Sequence, residues 1–309
     1  MKEVVGKKTR CAQKRRDVEA RIRFGRSARN IGLDTVSKES SRGKSQAANV
    51  VEHFFVKNPI LFHDERGLEY VALQGSQVLS LNSTAIRKNL AAMLYKAEGK
   101  VPRNDSITAA LNILAFKASH GPRYTLNNRI TWSTQGDIWL DLADEKSRAV
   151  QISKAGWSIE KCKSPMFRRY ESQQPLAEPV HGGDPWSLLK HVNVQPKDKL
   201  LFMVYVVTLL IPGIPHPVLV LHGPQGSTKT TTMALLKELI DPSAMGVVTI
   251  PRDERELVQT LDHSYLNYFD NVSSLRDWVS DALCRATTGA GFVKRKLFTD
   301  DEDVIYYLQ

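Results

Sequence analysis

The sequence predicts an α/β fold for the C-terminal part of the chain, preceded by a small α+β domain and a basic, disordered tail. The α/β prediction depends on an apolar run at residues 218–221, a glycine-rich turn and a helix at residues 231–240, in that order. A fully apolar strand is typical of a parallel sheet covered on both faces, which makes a three-layer core. A second strand, at residues 265–269, ends in Asp270.

These patterns divide the chain into four segments. Three prolines and two glycines shortly before Trp186 indicate a linker, because such residues interrupt helices and strands. The predicted segments are a tail at residues 1–44, an α+β domain at 45–175, a linker at 176–186 and the α/β domain at 187–309.

The basic tail holds most of the net charge of +10. Residues 1–44 contain 14 of the 43 Lys and Arg residues and 5 of the 33 Asp and Glu residues. Blocks of like charge usually stay solvated and disordered. Two interpretations stay open. The first is a flexible leader, or a segment translated from a start codon placed too early. The second is an arm that binds nucleic acid by releasing counterions from phosphates.

The α+β domain contains no predicted catalytic site. Residues 83–99 and 105–121 have the apolar spacing of helices, and residues 137–142 alternate like a half-buried strand. Asp141 and Asp144 raise the alternative of a carboxylate site. A structural role is favoured, because acidic residues on the solvent face of a strand are ordinary.

Composition narrows the functional classes. The three cysteines form no C-x-x-C pair, which argues against a disulfide framework or a cysteine-based zinc site. The apolar run at residues 200–211 is too short to span a bilayer and predicts a core helix. The N-terminus lacks the apolar stretch of a secretory signal, so a cytoplasmic protein without membrane contact is expected.

A phosphate-binding loop is predicted between the apolar strand and the helix. Backbone N–H groups of such a turn and the helix N-terminus bind phosphate, the lysine reaches the β- and γ-phosphates, and the following hydroxyl ligates Mg²⁺. Thr228 replaces the second glycine of the usual G-x-x-x-x-G-K-[ST] pattern. The alternative is a helix-capping turn with an incidental lysine. The predicted nucleotide-binding residues are Gly223, Pro224, Gln225, Gly226, Ser227, Thr228, Lys229, Thr230 and Thr231.

Asp270 is predicted to complete the Mg²⁺ site with Thr230. It follows the second strand, and α/β sheets present ligands at the carboxyl ends of their strands. Lys229, Asp270 and Asn271 are the predicted catalytic residues. Many ATPases have, at the position of Asn271, a glutamate that polarises the attacking water. An asparagine cannot do this, because it cannot accept a proton. The alternatives for polarising the water are Asp253, Glu254 and Glu256, which are equally well explained as a charged surface.

A basic hairpin is predicted near the end of the sequence. Residues 292–298 alternate apolar and basic side chains, an acidic turn follows, and residues 304–308 return as a strand. Lys294, Arg295 and Lys296 are the predicted nucleic-acid-binding residues, since exposed cationic hairpins suit a phosphate backbone. The alternative is an edge strand protected by charge.

Together these segments resemble a known group of proteins. The loop GPQGSTKTTT, the segment PRDEREL and residues 268–303 are similar to ATP-binding proteins of phages and mobile elements, akin to the helicase part of primase-helicases in the superfamily 3 and AAA+ grouping. The resemblance covers roughly residues 50–309. In that group, a residue other than glycine before the loop lysine and an asparagine after the acidic residue are both usual.

The resemblance implies a P-loop ATPase that uses ATP and Mg²⁺. It implies single-stranded or forked DNA as partner, with Lys294, Arg295 and Lys296 facing the channel of a homo-hexameric ring in the full-length form. Relatives continue beyond the position of Gln309 with a sensor strand and an arginine finger, so an incomplete core and slow hydrolysis are expected. The alternatives are a nucleotide-binding remnant without motor activity and a small-molecule kinase, although no arginine-bearing lid segment is apparent.

Overall fold

The computed structural model describes residues 45–73, 78–162 and 167–289, together with the backbone of two strands at Gly291–Arg295 and Asp303–Tyr307. Residues 45–309 form one compact unit. The predicted basic tail, at residues 1–44, lies outside the described residues, and so does Lys296.

Three helices and a three-stranded antiparallel sheet form the first part of this unit. Ser83 caps the second helix by accepting a hydrogen bond from the Ile86 N–H, and Gly99 ends it at a φ of 67°. The three helices bury a shared core that includes Phe54, Leu90 and Leu114. The elements are α1 (Gln46–Phe55), β1 (Ile60–His63), β2 (Glu69–Ala72), β3 (Val78–Ser80), α2 (Thr84–Glu98) and α3 (Asn104–Ser119).

A four-stranded antiparallel sheet follows. Its strands are β4 (Ile130–Trp132), β5 (Ile138–Asp141), β6 (Arg148–Ser153) and β7 (Gly156–Lys161), paired in chain order. Val150 stands opposite Leu140 on one side and Ile159 on the other, which sets the register. The described residues between Gln46 and Lys161 thus contain two antiparallel sheets and three helices.

The remaining elements are mostly helical. They are two short 3₁₀ helices (Pro185–Lys190 and Pro196–Asp198), α4 (Lys199–Thr208), α5 (Lys229–Ile240), α6 (Glu254–His263), α7 (Asp277–Thr287), and the antiparallel pair β8 (Gly291–Arg295) and β9 (Asp303–Tyr307). Phe202, Met203, Leu236 and Tyr268 lie in one core cluster, which also takes in Ile130 of the four-stranded sheet.

Residues 200–208 of the apolar run at 200–211 lie in α4, as predicted. Phe202, Met203 and Val206 are buried, whereas Leu200 and Leu201 on the opposite face are 66% and 71% exposed. The expectation of a core helix is therefore confirmed for the buried face and wrong for the opposite face. Among the described helices, none combines the length and apolarity that a membrane span requires.

The predicted strand at residues 218–221 is not formed. This segment has no strand pairing, and Val218 and Val220 are 53% and 71% exposed, while Leu219 packs against the core. No described strand pairs with the segment, so its backbone gains no sheet hydrogen bonds. The predicted strand at residues 265–269 is reduced to one parallel bridge between Val248 and Phe269.

Candidate functional site

The glycine-rich loop turns tightly into α5. Gly223 and Gly226 have φ values of 150° and 80°, in the region that favours glycine. A Cβ on Gly223 would lie 3.0 Å from Ser227 Oγ. Ser227 closes the turn, since its hydroxyl donates to the Pro224 carbonyl at 2.8 Å. The positive φ values account for both glycines, and at Gly223 the close approach of Ser227 adds to the preference.

Helix α5 begins at Lys229, at the end of this loop. The first amides of a helix have no partner within it, and the helix dipole adds partial positive charge at the same end. Gln225 and Thr231, at the tip of the loop and in the first turn of α5, are exposed. The loop therefore presents backbone donors to solvent at the place where an anion is favoured.

Thr228 is strained at the position where the usual motif has glycine. Its φ is 62°, and its side chain makes no capping hydrogen bond. The left-handed region is a steric outlier for a β-branched residue. The residue before Lys229 thus has the conformation that the usual glycine would take, although the side chain differs.

Replacing Thr228 by glycine is expected to raise the free energy of unfolding by about 1 kcal/mol, because the left-handed strain of about 1–2 kcal/mol exceeds the entropic cost of glycine. Chemical denaturation of the parent and variant chains measures this. The matched control is Ala234→Gly, at an exposed helical position of α5, where glycine is expected to cost about 1 kcal/mol. A loss of stability in Thr228→Gly would contradict the strain argument.

The Lys229 ammonium folds back onto the loop. It donates to the carbonyl oxygens of Gly223 at 2.9 Å and Pro224 at 2.8 Å, and to Ser227 Oγ at 3.1 Å. All three acceptors are neutral. An anionic oxygen at the same place would accept a stronger, charge-assisted hydrogen bond.

Thr230 and Asp270 meet in the structure, as the sequence predicted. The Thr230 hydroxyl donates to Asp270 Oδ2 at 2.9 Å, across forty positions of sequence. The hydrogen bond from the Asn271 N–H, with that from Thr230, holds the pKa of Asp270 below its usual range. Asp270 is therefore ionised at neutral pH and places two acceptor oxygens beside the start of α5.

Backbone pairing fixes the position of Asp270. Its N–H donates to the Val248 carbonyl at 2.9 Å, and the Val248 N–H donates to the Tyr268 carbonyl at 3.0 Å. Asn271 follows with a φ of 56°, and its N–H donates to Asp270 Oδ1 at 2.7 Å. Asn271 thus orients the Asp270 carboxylate through its backbone.

The alternative acids of residues 253–256 have other contacts. Asp253 caps α6 by accepting from the Glu256 N–H at 3.0 Å, and Glu254 forms an ion pair with Arg285. In the small domain, Asp141 is fully buried rather than on a solvent face, and both of its oxygens bind the Arg169 guanidinium, at 2.8 and 2.6 Å. These contacts agree with the structural role predicted for Asp141.

The predicted basic hairpin corresponds to β8 and β9. The antiparallel ladder pairs Lys294 with Val304 and Arg295 with Asp303. Contact of Lys294, Arg295 and Lys296 with nucleic acid stays a prediction.

A buried charged cluster at the end of α5 was not predicted from the sequence. Arg129, Lys237 and Asp241 are each at most 5% exposed and are joined by ion pairs. The spacing of Lys237 and Asp241, four apart along the chain, is a recognisable helical pairing signal. Arg129 is 112 positions from Asp241, and no local pattern connects them.

Comparison with known families found a similarity over the part of the chain that carries this site. Residues 187–307 match the model of the actinomycete integrative conjugative element replication protein. This stretch includes the loop, α5 and Asp270, and its similarity supports a replication-related protein of a mobile element. A search of curated proteins gave no match.

Proposed function

We propose that residues 187–309 bind ATP with Mg²⁺ at the loop of residues 223–231, and that the protein acts in replication of a mobile element as a DNA-dependent ATPase of replicative helicase type. The observation that carries the proposal is the hydrogen bond of 2.9 Å between the Thr230 hydroxyl and the Asp270 carboxylate. These oxygens come from distant parts of the sequence and meet at the N-terminus of α5, next to Lys229.

The loop supplies the donors that a triphosphate requires. Amides of the turn and the first turn of α5 would bind phosphate oxygens, and glycine at positions 223 and 226 allows close approach of the backbone. Lys229 would exchange its three neutral acceptors for the β- and γ-phosphates. Charge complementarity favours this exchange, since the ammonium then faces anionic oxygens.

Thr230 and Asp270 fit a magnesium ion. Mg²⁺ prefers hard oxygen ligands and is commonly held by one or two carboxylates together with substrate phosphates and water. A hydroxyl and an ionised carboxylate within hydrogen-bond distance meet that requirement. When bound, the ion would neutralise phosphate charge, and Asp270 would hold it at the side of the loop where Lys229 lies.

The proposal extends to the fold of residues 187–309, a three-layer core of the P-loop type. The parallel bridge between Val248 and Phe269 supports it, because parallel neighbours that lead to an acidic residue are typical of such sheets. The crossover between these neighbours is α6, which follows Val248 and precedes Phe269. Assembly into a homo-hexameric ring in the full-length form is part of the same proposal.

DNA is the proposed partner of the ATPase. The family match is to a replication protein, and Lys294 and Arg295 lie in a strand of a two-stranded sheet. Cationic side chains on such a hairpin would contact the backbone of single-stranded or forked DNA and couple hydrolysis to DNA binding.

The test is phosphate release by the purified chain in the presence of Mg·ATP, measured with and without single-stranded DNA. DNA is expected to raise the rate. The variant in which alanine replaces Lys294, Arg295 and Lys296 is expected to lose the stimulation and to keep its affinity for ATP, because these residues act on DNA and lie outside the loop.

Each alternative gives a different outcome. Binding of ATP without any stimulation by DNA would favour a nucleotide-binding protein without motor activity. Transfer of the γ-phosphate to a small acceptor would favour a kinase. A parent chain that does not bind Mg·ATP in calorimetry would refute the proposal.

A further inference from the structure

We propose that Arg129, in the small domain, is a positioning residue for the nucleotide site. It would act through Asp241, which ties the end of α5 to the segment that leads to Asp270. This inference rests on the proposed function, since it assigns Arg129 a role in binding Mg·ATP.

Asp241 connects two parts of the site. It follows α5 directly, and its Oδ2 accepts hydrogen bonds from the backbone N–H groups of Tyr265 at 2.9 Å and Leu266 at 3.1 Å. Helix α5 begins at Lys229, and the segment that starts at Tyr265 ends at Asp270. One carboxylate therefore sets the spacing between the two elements that carry the predicted phosphate and Mg²⁺ ligands.

Lys237 reinforces this connection. Its ammonium donates to Asp241 Oδ2 at 2.9 Å and to the Leu266 carbonyl at 2.5 Å. Burial lowers the pKa of Lys237, and the Asp241 carboxylate opposes that effect. Burial would raise the pKa of Asp241, but Lys237 and Arg129 hold it below its usual range. The carboxylate is therefore charged and holds both cations.

Arg129 binds the other oxygen of this carboxylate. Its Nε donates to Asp241 Oδ1 at 2.9 Å, and the side chain is fully buried. Its remaining hydrogen bonds go to the carbonyl oxygens of Asp141 at 3.1 Å, Gln174 at 3.0 Å and Pro242 at 3.2 Å. The guanidinium thus joins the four-stranded sheet, the chain after it and the end of α5 at one point.

The backbone of Arg129 is also constrained. Its φ is 50°, in the left-handed region, and its carbonyl accepts a hydrogen bond from the Asp141 N–H at 2.7 Å. Such a conformation persists only where the surroundings determine it. The sheet therefore holds Arg129 firmly enough to fix the position of Asp241.

Loss of Arg129 leaves Asp241 paired with Lys237, so the folded state keeps a partner for the buried carboxylate. Asp241 then keeps its hydrogen bonds to Lys237, Tyr265 and Leu266 but loses its hydrogen bond to the small domain. The start of the segment 265–270 is then held less firmly against the sheet, and Asp270 is expected to be placed less accurately. The effect should be specific to Mg²⁺, because Lys229 and the loop amides do not depend on that segment.

The experiment compares Arg129→Met with Arg148→Met in the full chain. Arg148, in β6, is the control: it donates to Asp144 at 2.6 Å and to Glu178 at 2.9 Å, and both of these partners precede residue 187. Amide hydrogen exchange over residues 265–270 and the affinity for ATP with and without Mg²⁺ are measured below the unfolding temperature of both variants.

Arg129→Met is expected to lose amide protection at residues 265–270 and to weaken binding of Mg·ATP by roughly 2- to 30-fold, the range of coupling through packed networks. Metal-free ATP binding should not change. Arg148→Met should change neither the protection nor the affinity for Mg·ATP. Where Arg129→Met does not fold, Arg129→Lys gives the same comparison, because lysine keeps the charge and loses the fork of donors.

Two results would overturn the proposal. One is unchanged affinity for Mg·ATP in an Arg129 variant that has lost protection at residues 265–270. The other is an equal loss of affinity in Arg148→Met, which would show a general effect of destabilisation. A parent chain that binds no ATP would refute the proposed function and this role with it, and the exchange data would show separately whether Arg129 positions the segment.

Discussion

Replacing Lys229 by alanine is expected to weaken binding of Mg·ATP by about 10- to 150-fold, the equivalent of a hydrogen bond to a charged group worth about 1.5–3 kcal/mol. The ammonium lies at the mouth of the loop, within 3.1 Å of three neutral acceptors. A triphosphate would provide anionic acceptors at the same place, and alanine has no donor. Isothermal titration calorimetry with Mg·ATP measures the effect.

Two variants make this measurement specific. Lys197→Ala removes an exposed lysine from the short helix before α4 and is expected to leave the affinity unchanged. Lys229→Arg keeps the charge but changes the shape of the donor, so an intermediate loss is expected. Equal affinities of the parent and Lys229→Ala would show that the loop is a helix-capping turn with an incidental lysine.

The local part of the candidate site could be predicted from the sequence. The two glycines, Lys229 and the start of α5 are close in the chain, so their geometry follows from backbone sterics and from the free amides at a helix end. Thr230 and Asp270 could be paired as well, because an acidic residue after an apolar segment has a known place relative to such a loop. The structure brings their oxygens to 2.9 Å.

The apolar run at residues 218–221 shows where prediction failed. An apolar run indicates burial, but whether it forms a strand depends on which other strands pair beside it. Leu219 packs against the core while Val218 and Val220 are exposed. Strand pairing is a contact between distant segments, and the composition of the run does not encode it.

The buried ion pairs between the small domain and the C-terminal helices could not be predicted either. Arg66 and Asp262 are 196 positions apart, and Arg129 and Asp241 are 112 apart. Each of these residues taken alone suggests an exposed charge, since arginine and aspartate are almost never fully buried unless paired. Only the folded chain shows which cation meets which carboxylate.

Replacing Asp262 by asparagine is expected to lower the free energy of unfolding by about 3–5 kcal/mol, the cost of removing one partner from a buried ion pair. The side chains of Arg66 and Asp262 are 8% and 7% exposed. Arg66 binds both carboxylate oxygens, and the Tyr170 hydroxyl donates to Oδ2 at 2.9 Å. Asparagine has nearly the same shape but replaces one acceptor with a donor that faces the guanidinium.

Denaturant unfolding of Asp262→Asn, Arg66→Met and the double variant measures the interaction. The double variant is expected to lose less free energy of unfolding than the two single variants lose together. The reason is that the second substitution removes a charge that the first had left without its partner. Glu254→Gln is the exposed control. Its pair with Arg285 is 48% and 45% exposed, and a loss of about 0–1 kcal/mol is expected.

The pH dependence of stability gives a second measure of the same pair. Burial would raise the pKa of Asp262, but its hydrogen bond and charge interaction with Arg66 hold it below its usual range. A carboxylate whose folded pKa is depressed stabilises the protein above its unfolded pKa, and this stabilisation fades as the pH falls through the folded value. The parent should therefore lose stability more steeply than Asp262→Asn below about pH 4, near the pKa of an unfolded aspartate. Two results would mean that the contact between Arg66 and Asp262 contributes little to holding α6 against the small domain. One is that the stability of the two chains falls in parallel with pH. The other is that the losses of stability in the double variant are additive.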